Sequence, residues 1–274
     1  MHQTRKMSED FGKEIAKEIA KEVYQDGGKA IAKSVGDLGS LLIRALKATL
    51  APVEKWTLQR EYNIAETRKL LEQKLERIGI DSISPPEPYI ALPAMQYLTY
   101  CMDQEELRNM YANLLANSMI DAVKNGVHPG FVEIIKQLSP DEAKILKYMS
   151  THDSVPTITL RFENENQEGN DIIRDFSDIG EQVGCEQKYE MEKHFDNLER
   201  LGLIAKSGML FKLTEEEQYN QLKQHPYILK QKERREAKDQ EFSKDVIREE
   251  FIRLTSFGKA FCDICVIAPD AGNV

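Results

Sequence analysis

Between Lys29 and Leu50 the sequence separates charge from hydrophobicity onto opposite sides of a helix. At 100° per residue, Lys29, Lys33, Asp37, Arg44 and Lys47 fall within an arc of about 80°. Ile31, Val35, Leu38, Leu42 and Leu46 lie on the other side, Gly36 and Gly39 keep the helix slim, and Pro52 ends it. An apolar stripe of this length has to be covered by something other than water. One cover is the chain's own helices, expected over 58–78 and 89–123. A second is another copy of the chain, which the glycines let approach closely. The third is a bilayer interface, where a helix with basic residues opposite Leu and Ile lies flat. The first 60 residues hold 11 Lys and Arg against 8 Asp and Glu, a basic end on a chain whose net charge is −9. That asymmetry keeps the lipid surface among the three.

Helical spacing dominates the first half of the chain. Over 8–24, Ser8 is placed as an N-cap and Phe11, Ile15, Ile19 and Val23 recur every four residues, before Gly27-Gly28 breaks the pattern. A helix from about Lys55 to Ile78 is closed by Gly79, and SISPPEPY (82–89) is a turn-rich hinge. Helices resume over 89–102 and 103–123, the second with Asp103 and Glu106 as a capping box, and His128-Pro129-Gly130 opens one that runs to Leu138.

The pattern changes after Ser139. SPDEAKILKYMS reads as a capped helix, and VPTITLRF (155–162) alternates as a strand does. ENENQEGND is a polar loop, and helices are expected near 171–183 and 187–200. LERLGLI, a strand pair around Gly208, a charged segment (215–250) and FIRLTSFGKAFCDICV (251–266) complete the chain. This order of elements resembles a winged helix with an insertion in its wing. The expected fold is therefore mainly α, a helical N-terminal region followed by a winged-helix-like α+β C-terminal region. Its divisions are amphipathic helices over 1–57, a helical domain over 58–138, and the winged-helix-like domain over 139–274.

Four scattered cysteines do not make a disulfide framework, and no signal peptide or run of eighteen apolar residues occurs, so a cytoplasmic protein is expected. The chain has no phosphate loop, dinucleotide loop, nucleophile elbow or HExxH pair. Cys262-x-x-Cys265 lacks the further ligands a zinc site needs and is read as a pair of buried thiols. Asp141 and Lys144 superficially resemble the acidic–lysine signature of metal-dependent nucleases, but they are contiguous at a helix start. There Ser139, Pro140 and Glu142 form a capping box. Glu163, Glu165 and Asp171 lack the spacing of an EF-hand and read as a solvated loop. No enzyme, metal or cofactor is expected. The candidate recognition helix over 186–200 carries Lys188, Lys193 and Arg200 against five acidic residues, and so would repel a polyanion.

Gly28-Lys29-Ala30, then Val35-Gly36-Asp37-Leu38-Gly39 and Leu50-Ala51-Pro52, resemble the N-terminal signature of the abortive-infection alpha family, bacterial proteins linked to phage resistance. EELRNMYANLLANSM (105–119) and HPGFVEIIKQLSPDEAKIL (128–146) resemble it further, the latter most specifically, and together these stretches cover about residues 28–150. The resemblance implies an antiviral protein whose activation stops the infected cell from producing phage. It brings no catalytic residues, and it matches His128, Phe131, Pro140 and Glu142. The expected function is a non-enzymatic effector that acts through the face Ile31, Val35, Leu38, Leu42 and Leu46, flanked by Lys29, Lys33, Arg44 and Lys47. That face would work on the inner-membrane surface or in a homo-oligomer. The alternative is a sensing module that binds a phage or host protein, or nucleic acid, through the winged-helix-like region. Nucleic acid is not expected, and a phage or host protein is the expected trigger.

Overall fold

The computed structural model describes residues 57–76, 78, 82–98, 100–208, 213, 216–236 and 244–269. The segments 8–24 and 29–50 read above lie outside them. The described residues form two compact units: Leu138–Cys262 is one, and the other combines the chain up to Gln137 with the tail from Asp263. The architecture is mixed α+β, with a helical first unit and a curled four-stranded antiparallel sheet in the second.

In the first unit, α1 (Thr57–Leu75), α2 (Pro88–Leu98) and α4 (Gly130–Ile135) all pack on α3 (Glu105–Asn117). α3 occupies the centre because most of its length is apolar or small: Tyr111, Ala112, Leu114, Leu115 and Ala116 are all fully buried. Two polar residues are buried with them. Asn113 Nδ2 donates to the carbonyls of Cys265 (3.0 Å) and Val266 (3.1 Å), and Asn117 Nδ2 donates to that of Ile264 (2.8 Å). These amides satisfy carbonyls of a π turn over Cys262–Val266, whose wide hydrogen-bonding pattern needs outside donors. The expected capping box at Asp103 is not formed. Gln104 N donates to the Cys101 carbonyl, this turn delays the helix, and Gln104 takes the cap position without a side-chain bond. Helix α3 also stops at Asn117, short of the expected residue 123.

In the second unit, α5 (Pro140–Met149) leads into a hairpin of β1 (Val155–Glu163) and β2 (Gly169–Phe176). There follow α6 (Ile179–Gln182), α7 (Met191–Arg200), β3 (Ile204–Lys206), α8 (Glu216–Lys223), α9 (Pro226–Glu236), β4 (Lys244–Leu254) and α10 (Ser256–Phe261). The sheet order is β2-β1-β4-β3. One face of β1 presents Ile158, Leu160 and Phe162 to Phe176 and to Tyr219, Leu222 and Ile228 of α8 and α9. The other face pairs Thr157, Thr159 and Arg161 with Glu250, Arg248 and Val246 of β4.

The helix expected near 171–183 is a strand through Phe176, followed by a single helical turn. The polar loop before it is the tip of this hairpin. There Asn164 Oδ1 accepts from the backbone of Asn166 and Glu168, and Arg161 bridges Glu163 and Asp171. Within the charged segment over 215–250, the described residues form α8, α9 and the first half of β4. β3 pairs with β4 at Ile252 and Leu254, and residues 209–212, the second arm of the expected strand pair, lie outside the described residues.

Candidate functional site

Among the described residues, the densest concentration of buried ionisable groups sits where α5 begins. Ser139 caps the helix, its Oγ accepting from Glu142 N (3.2 Å), and Glu142 Oε2 accepts from Ser139 N in return (2.8 Å). The reciprocal bond turns the Glu142 carboxylate inward, where both its oxygens also accept from Asn197 Nδ2 at 3.0 Å. Asn197 is itself fixed from the other side, since its Oδ1 accepts from Arg200 Nη2 at 2.7 Å. The neighbouring Asp141 accepts from the backbone N–H of Glu186 (3.1 Å) and Gln187 (3.2 Å), which ties the loop before α7 to the start of α5.

His194 lies between the two carboxylates and is 4% exposed. Its Nδ1 is 3.5 Å from Glu142 Oε1, while Nε2 is 4.0 Å from Asp141 Oδ2, too far for a hydrogen bond, and has no hydrogen-bond partner. Burial opposes ionisation of Asp141. Even so, the amides of Gln187 and Glu186, with Lys144 and His194 nearby, hold its carboxyl below the ordinary range. Burial likewise opposes ionisation of Glu142, and His194, Ser139 N and Asn197 outweigh it in the same direction. Beside them the Cys185 thiol is pushed up to about 11, by burial first and then by the Asp141 charge, which makes it a poor nucleophile at neutral pH. Lys144 Nζ donates to the Gly184 carbonyl at 3.0 Å and stands 3.7 Å from Asp141. Asp141 and Lys144 are thus both engaged with the loop at 184–187. Among the described residues, no group of three His, Cys, Asp or Glu side chains is arranged to hold a metal ion.

The other residues matched by the resemblance are local. His128 Nδ1 accepts from Gly130 N at 3.0 Å, the ring lies against buried Phe131, and a Cβ at position 130 would stand 2.9 Å from that nitrogen. Pro140 occupies the first turn of α5. Cys262 and Cys265 are buried and form no disulfide.

Of the nucleic-acid candidates, Lys193 pairs with Glu190 at 2.7 Å, Arg200 holds Asn197, and Lys188 is exposed. They do not form a basic face: Asp196 and Glu199 share a helix with Lys193 and Arg200 and pair with Lys206. The membrane or self-association candidates Ile31, Val35, Leu38, Leu42 and Leu46, and the basic candidates Lys29, Lys33, Arg44 and Lys47, lie outside the described residues. Among the described residues, no helix is long and apolar enough to cross a membrane.

His194 and Asn197 are not marked by any motif in the sequence. The available signal was a histidine set among Met191, Phe195 and Leu198, on the face that α7 buries.

A family model described as abortive infection alpha matches residues 59–265. No curated protein matches the chain. One solved structure similar to it comes from the hydrocarbon-degrading marine bacterium Alcanivorax borkumensis SK2 and is described as an uncharacterized protein. It is 19% identical, with 50% of this chain and 92% of that one covered, at a TM-score of 0.35, too low to carry an argument.

Proposed function

Because the chain belongs to the abortive infection alpha family, a membership that implies defence against phage by abortive infection, we propose that it is a non-enzymatic bacterial effector acting through its amphipathic segment 29–50. The observation that carries this reading is the separation of Lys29, Lys33, Arg44 and Lys47 from Ile31, Val35, Leu38, Leu42 and Leu46. A helix of that kind binds anionic lipid by burying its apolar face while its basic face meets the headgroups. The most polar buried cluster in the described residues supports a non-enzymatic role, because its carboxylates and lysine are engaged by internal partners. Infection would free the segment to disturb the cytoplasmic face of the inner membrane or to drive self-assembly. Dye release from anionic liposomes tests this. The full chain is expected to release dye after exposure to lysate of infected cells, and Leu38→Asp with Leu42→Asp is expected to abolish release. Equal release by the two proteins would refute a role for the segment in leakage.

A second reading assigns the protein a sensing role through the second unit, taken as a winged-helix-like module. The observation in its favour is Tyr189, which is 39% exposed and stacks on Tyr227 at 4.3 Å, its hydroxyl donating to Glu181 at 2.6 Å. A rigid, half-exposed aromatic side chain is a common anchor in protein interfaces. This reading expects Tyr189→Ala to abolish phage protection while leaving triggered liposome leakage intact. Unchanged protection would count against it.

A further inference from the structure

Three rings of the second unit form a ladder from its core to its surface. Phe176 is buried in the core, and half-buried Tyr227 of α9 stacks on it at 5.6 Å. Tyr189 stacks on Tyr227 in turn, at 4.3 Å and with 10° between the ring planes. Stacking covers one face of the Tyr189 ring, and the residue is still 39% exposed. The loop that carries it is held at three points. The Glu186 and Gln187 amides bond Asp141, and Gly180 leaves the Lys188 carbonyl the space a Cβ would take. The third point is the Tyr189 hydroxyl, which donates to Glu181 Oε1 at 2.6 Å.

Glu181 carries a charge that neither of its hydrogen-bond partners neutralises. Tyr227 N donates to His225 Nδ1 at 3.2 Å, which leaves the His225 ring proton on Nε2, and that proton goes to Glu181 Oε2 at 3.2 Å. Each carboxylate oxygen thus accepts one bond from a neutral donor. The Tyr189 bond first, and the His225 bond second, hold the carboxyl below its ordinary range. A carboxylate has about four lone-pair sites, so each oxygen of this exposed side chain keeps one open. Of the nearby cations, Lys188 favours the charge from a distance and Lys193 is paired with Glu190.

We propose that Tyr189 and Glu181 together receive an arginine side chain of a partner protein, an assignment that deepens the sensing reading above and rests on it. A guanidinium is flat enough to lie on the outer face of the ring. The same group can turn its N–H donors to the carboxylate at the hydroxyl end. Charge selects the class of partner. A stacked nucleobase would bring phosphates toward Glu181 and toward exposed Glu186 and Glu190, whereas arginine brings the opposite sign. The ring and the carboxylate are fixed before any partner arrives, so little ordering is left to oppose binding.

Titration of the isotope-labelled full chain with a capped Gly-Ser-Arg-Ser-Gly peptide tests the site, read from backbone amide chemical shifts. A peptide with citrulline for arginine, which keeps the shape and lacks the charge, and a thymidine oligonucleotide are the comparisons. The arginine peptide is expected to give saturable shifts at Glu181, Tyr189 and Tyr227, and the citrulline peptide none. Tyr189→Ala and Glu181→Gln should each raise Kd by roughly threefold or more. Unchanged resonances in β1 and β4 verify the fold of both variants. The proposal is overturned by the absence of saturable shifts at these amides, by equal binding of the two peptides, or by a Kd indifferent to Glu181→Gln. Tighter binding of the oligonucleotide at the same amides overturns it too. Phage protection separates the site from the sensing reading. Arginine binding with protection unchanged in Tyr189→Ala keeps the site and removes that reading. Protection lost in Tyr189→Ala, with no arginine binding by the wild type, does the reverse.

Discussion

Asp141 shows how one side chain can join distant parts of the chain. Its two oxygens take the backbone amides of Glu186 and Gln187, so a carboxylate next to a helix cap becomes the anchor of a loop more than forty residues away. Its folded-state pKa lies below the ordinary carboxylate value, so the unfolded chain binds more protons at mildly acidic pH. The resulting stability is fully present above the unfolded value of about 4 and is lost as pH falls through the folded one. Glu142, shifted in the same direction, adds to that acid loss. We therefore expect the urea midpoint of the second unit to stay level between neutral pH and about pH 5 and to fall below about pH 4. Asp141→Asn should lower the unfolding free energy at neutral pH by roughly 1–3 kcal/mol, because one part-buried amide loses its acceptor. It should also flatten the acid limb. A variant with an unchanged acid limb would show that the bonds to Glu186 and Gln187 do not carry the pH dependence.

Among the elements, those set by local rules could be read from sequence and those set by distant pairing could not. Ser139, Pro140 and Glu142 specify the start of α5 within four residues, and the capping box forms as expected. β1 alternates and was legible. β2 was not, because its two isoleucines are adjacent. Register shifts opposite Leu160 let Ile172 and Ile173 both lie against the same core, which erases the period of two. Nothing local marks Asn113 and Asn117 within the helix expected over 103–123, since their partners at Ile264–Val266 are some 150 residues away. His194 was hidden for the same reason, its carboxylate neighbours lying on another helix. The approach of α10 to the turn before β3 is similarly long-range. A Cβ on Gly258 would sit 1.9 Å from the Leu203 carbonyl oxygen, which also accepts from Thr255 N. Gly258→Ala should therefore cost roughly 1–3 kcal/mol by forcing the backbone apart. Urea unfolding checks this, and a neutral effect would mean that the turn yields freely.

For the whole molecule, the described residues give a scaffold, and the proposed action lies in a segment attached to it. The second unit spends its charged residues on internal contacts: Lys206 with Asp175 and Asp196, Arg161 with Glu163 and Asp171, and Lys232 with Asp245. In the first unit, α2 carries no charged residue of its own and exposes Tyr89. Basic charge is concentrated instead in the first 60 residues. Family membership supplies the setting, phage infection, and the physical account assigns the action to the amphipathic face. The most direct measurement is phage yield and host survival in cells carrying either the wild-type protein or Leu38→Asp/Leu42→Asp at equal expression. The account predicts that the wild type suppresses phage yield while the variant, still folded, allows yields like those of cells without the protein. Full suppression by the folded variant would contradict it.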